Sequence, residues 1–78
     1  MHMQFPLSIY IPTFNRVETL LQLLNSIKEI CTDQVRSSIE VVVSDNASTD
    51  LTQQMMKVAL DNKFIDKYIR YSSNRGAD

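Results

Sequence analysis

Glycine is almost missing from this sequence, with one residue, Gly76, in 78. A loop that wraps a phosphate in backbone N–H groups needs glycine where the chain turns tightly or runs against the ligand. A P-loop and the Gly-x-Gly-x-x-Gly dinucleotide fingerprint are therefore both excluded. Cysteine occurs once, at Cys31, so no internal disulfide can form. Cys31 falls on an apolar position of an expected helix, without a neighbouring His or basic cluster, and is read as a core thiol. No apolar run approaches the roughly 20 residues that span a bilayer, and Met1-His2-Met3-Gln4 lacks the pattern of a leader, so a cytoplasmic setting is expected. Lys and Arg number 8 against 9 Asp and Glu, and they are scattered, so no nucleic-acid surface is expected. A chain this short is one domain at most and buries only roughly 60% of its unfolded surface. It has room for a small core, but hardly for a complete two-substrate active site.

What is present is organised around Ile39-Glu40-Val41-Val42-Val43-Ser44-Asp45-Asn46-Ala47-Ser48-Thr49-Asp50. A β-branched run without clean polar alternation suits a strand covered on both faces, and the polar cluster behind it carries helix-starting side chains. The stretch reads as the carboxyl end of a buried strand passing into a helix, which is where ligands bind in open α/β sheets.

The remaining chain supplies the partners. Leu7–Ile11 is expected as a first strand, closed by Pro12. Asn15 with Glu18 three residues on has the form of a capping box, which starts a helix at Arg16. Val17, Leu20, Leu21, Leu24, Ile27 and Cys31 form its apolar stripe. Residues 32–38 are read as a loop and Ile39–Ser44 as the second strand. A second helix follows, capped by Asp50 with Gln53, buried along Leu51, Met55, Val58, Ala59 and Leu60, and ending near Asp61-Asn62. Phe64 and Ile65 anchor the next loop, Tyr68–Tyr71 is a short edge strand, and residues 72–78 are its exit loop. The order is βαβαβ, an α/β class with a small parallel sheet, a Rossmann-like half of a three-layer type of fold. Right-handed crossovers place both helices on one face and all strand exits on one rim.

That rim gathers an aromatic ring at Phe14, a carboxylate at Asp45, amides at Asn15 and Asn74, and a guanidinium at Arg75. A ring and an acceptor carboxylate suit a nucleobase, stacked on its face and hydrogen-bonded at its edge, while Arg75 suits a phosphate. Each residue also has a plainer reading. Phe14 as a lid on the core, Asp45 as an Asx turn, Asp50 as a helix cap, Ser48 and Thr49 as turn-holders and Arg75 as a solvated charge all satisfy the same residue types. A phosphotransferase of the haloacid-dehalogenase type is disfavoured, because Ala47 occupies the place of its second acidic residue.

Leu7–Arg16, Glu40–Asp50 and Asn74-Arg75-Gly76-Ala77 together resemble the opening of an inverting family 2 glycosyltransferase of the GT-A fold. The resemblance departs from the usual pattern at Ser44, where a first Asp is usual, and at Asn46, where Gly is usual. It implies an amino-terminal, nucleotide-sugar-binding portion over residues 1–78, one partial domain of a longer enzyme. Pro12 and Thr13 would edge the base pocket, Phe14 would lie by the base, Asp45 would hydrogen-bond it, and Asn74 would approach the nucleotide. The resemblance further implies a nucleoside-diphosphate sugar as donor and an acceptor glycan or lipid-linked glycan, as in polysaccharide biosynthesis at the cytoplasmic membrane face. A divalent metal, Mg or Mn, is implied as well, with its ligands and the catalytic base beyond residue 78. No catalytic or metal-binding residue is expected within the chain. The competing expectation is a non-catalytic α/β module, and a bare first strand would make either one a homo-oligomer through Leu7–Ile11.

Overall fold

The computed structural model describes residues 7–72. Asn74 and Arg75 lie outside the described residues. The elements run β1 (Leu7–Thr13), α1 (Val17–Ile30), α2 (Asp33–Arg36), β2 (Ile39–Asp45), α3 (Thr52–Asp61) and β3 (Lys67–Arg70). The sheet order is β1-β2-β3, and both pairings are parallel. Leu7 pairs with Ile39 at one end of the first ladder and Thr13 with Asp45 at the other.

The parallel order requires two crossovers, and one core shows where they run. Ile11, Val41 and Val43 of the sheet cluster with Leu20 and Leu24 of α1 and with Met56 and Ala59 of α3, so both long helices cover the same face. Leu24, Val41, Val43, Met56 and Ile65 are each no more than 2% exposed. At about 1.5–3 kcal/mol per fully buried apolar side chain, this small set carries the fold. The other sheet face presents Tyr10 and Ile69 to solvent, and a third layer is not among the described residues. No helix of the described residues is long and apolar enough to cross a membrane.

Several expectations are corrected. Pro12 does not close β1, which runs on through Thr13. Thr13 C=O accepts from Asn46 N–H at 2.9 Å, so strand alternation turns Pro12, with no N–H to offer, toward the open edge where it costs no ladder bond. The stretch read as a loop contains α2, capped by Thr32 Oγ1 accepting from Val35 N–H at 3.1 Å. A single turn is too short to show apolar periodicity. β2 starts at Ile39 as expected and runs one residue further, through Asp45, while β3 lies one residue earlier than expected. α3 buries Thr52, Met56 and Ala59, with Met55 partly buried, while Leu51, Val58 and Leu60 are exposed. The buried stripe is turned by about one position from the expected one, with Thr52 in place of Leu51 at its start. In α1 the expected stripe holds, with Cys31 partly buried against the core.

At the amino end of the strands Arg36 ties the sheet's base together. Its guanidinium donates to Ile39 C=O at 2.7 Å, Phe64 C=O at 3.2 Å and the Asp66 carboxylate at 3.0 Å. Asp66 also accepts from Val41 N–H at 2.8 Å, which fixes where β3 joins β2.

Candidate functional site

Parallel strands put the ends of β1, β2 and β3 on one rim, and the loops there are joined by side chains. Asn15 sits at φ 51°, in the left-handed region that asparagine tolerates better than most residues. That conformation carries its side chain away from α1. Its Oδ1 accepts from Thr49 N–H at 2.7 Å and from Asp50 N–H at 3.2 Å. Its own N–H donates to Ser48 Oγ at 2.9 Å. The expected capping box of Asn15 and Glu18 is therefore not formed. Arg16 takes the N-cap position of α1 without a side-chain bond, and the Val17 N–H is satisfied by Asp50 Oδ2 at 3.2 Å. The N-cap of α3 is Leu51, with no side-chain cap bond, and not the expected Asp50; the other Asp50 oxygen instead accepts from Thr52 N–H at 3.0 Å and from Thr52 Oγ1 at 2.5 Å. One carboxylate thus serves the first turns of two helices, where helix dipoles favour negative charge. The Thr52 hydroxyl, with backbone N–H groups behind it, holds the Asp50 carboxyl below its ordinary range.

Asp45 ends β2 fully buried. Its Oδ1 accepts from Ser48 N–H at 2.9 Å, the Asx-type contact of a strand-to-loop turn. Its Oδ2 accepts from the Tyr68 hydroxyl, and Arg70 Nε stands 3.9 Å from the same oxygen. Burial, and then the bond to Asp45, raises the Tyr68 phenol above its usual range, so it remains a donor. Arg70 also donates to Ser48 C=O at 2.9 Å.

The expected residues are thus distributed unevenly. Pro12 and Phe14 are exposed, Phe14 at 41%, which rejects the reading of Phe14 as a lid on the core. Thr13 is buried opposite Asp45, and Asn15 is consumed in clamping the neighbouring loop. Tyr68 and Arg70 are the additions, while Ser48 holds the turn as expected. Tyr68 and Arg70 pair in register with Val43 and Asp45, so a correct β2–β3 register would have put them on the face of the Asp45 side chain. Charge alternation alone named β3 as an edge but not its register. A cavity of about 340 Å³ lies at the opposite end of the sheet, among Lys28, Cys31, Arg36, Asn62, Phe64 and Asp66, and takes no part in this rim. Among the described residues no three His, Cys, Asp or Glu side chains converge on a metal position.

Comparison with known proteins gives the family and the fold. The profile of Glycosyl transferase family 2 matches residues 8–78. An abequosyltransferase, RfbV of Salmonella typhimurium, is 45% identical over 73 residues, covering 92% of this chain and 21% of its own. A mannosyltransferase of Pyrobaculum calidifontis, solved with GDP-Man and Mn2+, superposes with a TM-score of 0.72 at 29% identity, over 90% of this chain and 20% of that one. TarS of S. aureus gives a TM-score of 0.72 at 30% identity, over 90% of this chain and 12% of that one. The chain spans about a fifth of the length of the curated relative it matches.

Proposed function

The chain belongs to glycosyl transferase family 2, and from that premise we propose that its rim is the nucleoside half of the donor site of a sugar-transferring enzyme. Phe14 offers its ring to the face of the base, Pro12 and Thr13 border the pocket, and Asp45 accepts from an N–H on the base edge. Asn74 and Arg75, on the chain after β3, are assigned to the nucleotide, with Arg75 on phosphate. Asn15 is assigned to the site as the clamp between its two loops. The observation that carries this reading is the joining of the Phe14 and Asp45 loops at the carboxyl ends of parallel strands, through Asn46 N–H to Thr13 C=O and Asn15 N–H to Ser48 Oγ, both at 2.9 Å.

For the whole protein we propose transfer from a nucleoside-diphosphate sugar to a hydroxyl of a glycan or lipid-linked glycan, at the cytoplasmic face of a membrane. A base outside this chain would take the acceptor's proton, and a divalent metal held outside it would stabilise the departing diphosphate. Residues 1–78 are then an amino-terminal, nucleotide-binding portion with no transfer activity of its own. Calorimetric titration of UDP, CDP and GDP into the chain tests the reading. Binding of at least one, lost in Asp45→Ala and weakened in Phe14→Ala, is the expected result. Equal binding by all three proteins overturns it.

A further inference from the structure

The two oxygens of Asp45 are held differently. Oδ1 is taken by a backbone N–H of its own loop, Ser48, at 2.9 Å. The partners of Oδ2 are side chains of β3, and the hydrogen bond among them comes from Tyr68, since Arg70 Nε at 3.9 Å is an ion-pair neighbour beyond hydrogen-bond range. Asp45 is 0% exposed, so a ligand has no open line to either oxygen. Releasing Oδ1 requires unwinding the β2 exit, where Ser48 is itself fixed to Asn15 and Arg70. Releasing Oδ2 requires that Tyr68, a partly buried ring packed against the core on the outer of the described strands, turn its hydroxyl away, with the β2 exit left in place.

Resting on the reading of Asp45 as the base acceptor, we propose that Tyr68 sets the affinity of the nucleoside site: its hydroxyl holds the Asp45 oxygen that a base N–H must take, so binding exchanges one donor for another. The exchange is balanced, with one N–H···O bond made for one O–H···O bond broken and no net change at the carboxylate. The phenol is left to find water at the exposed edge. A nucleoside therefore binds more weakly than its contacts alone would allow, and a base that cannot present an N–H at that oxygen is refused, because it would leave a buried carboxylate short of a donor.

The test is titration of UDP, CDP and GDP into the chain and into its Tyr68→Phe, Arg70→Gln and Asp45→Ala variants. Tyr68→Phe is expected to bind about tenfold tighter than the parent, the size of one hydrogen bond to a charged acceptor no longer in competition. Loss of a merely structural residue would weaken binding or leave it unchanged. A second readout needs no substitution: with tyrosine rings isotopically labelled, the Tyr68 signals should move as nucleotide saturates the parent chain. Tyr68→Phe binding no tighter than the parent, tightening in Arg70→Gln instead, or Tyr68 signals that stay fixed at saturation would each overturn the proposal while Asp45→Ala still fails to bind. Undiminished binding by Asp45→Ala, or no binding of any nucleotide, would remove the base-site reading itself and this proposal with it.

Discussion

The Asp50 carboxylate and the Val17 N–H, 33 positions apart in sequence, are hydrogen-bonded at 3.2 Å, so the helix after β1 is capped by the loop after β2. Because the same carboxylate also accepts from the backbone and hydroxyl of Thr52, the first residue of α3, Asp50→Ala removes support from two helix ends at once. A loss of about 1–2 kcal/mol in urea unfolding is expected, with Asp50→Asn, which keeps one acceptor, falling between.

The same contact has an acid signature. A carboxyl held below its ordinary value of 3.8 when folded binds protons more readily when unfolded. Its stabilisation is complete above the unfolded value and disappears as pH falls through the lower folded one. Thermal melts taken downward from about pH 5 should show a shallower fall for Asp50→Ala than for the parent chain. Equal slopes would mean that Asp50 is not the linked group.

Asn15 serves by both its backbone and its side chain. Asn15→Ala deprives the Thr49 and Asp50 N–H groups of their acceptor and places a non-asparagine residue at φ 51°. It should cost about 1–3 kcal/mol by chemical denaturation, while Asn15→Asp, which retains the acceptor and tolerates that φ, should cost little.

Neighbouring leucines on α1 should separate sharply. Leu24 is 1% exposed and Leu23 is 43% exposed. Leu24→Ala is expected to cost about 2–5 kcal/mol, enough to unfold much of so small a domain, and Leu23→Ala to stay within about 0.5 kcal/mol. Circular dichroism melts distinguish them.

Association of chains is expected at the outer side of β1, where Leu7 and Tyr10 are 54% and 67% exposed and no strand among the described residues pairs with the alternate backbone groups. Light scattering should show a mass that rises with concentration. Tyr10→Pro, which removes a donor on that side as Pro12 already does, should suppress the rise. A monomer at all concentrations would reject the contact.

The order of elements and the shared rim were legible because β-branched runs and helical stripes repeat over several turns. Single-residue matters were not. Asn15 and Glu18 satisfied a local capping pattern, yet the amide found two N–H groups from a loop 34 and 35 positions away, and the distant contact won. Asp45 was found by its place at a strand end, but its burial depends on Tyr68, whose approach follows from a register between β2 and β3 that charge alternation does not encode. Phe14 could be named but not oriented, since one ring after a strand fits either a core lid or an exposed platform.

Every strand contact here joins segments remote in the chain: Ser8 meets Glu40 across 32 positions, and Val41 meets Asp66 across 25. No hairpin exists to seed the sheet among the described strands, so assembly must close long loops before any pairing rewards it. During synthesis β1 emerges before β2, its partner among the described strands. Folding should be slow for the chain's size, and the waiting first strand should be the segment most prone to capture by chaperones or by another nascent chain.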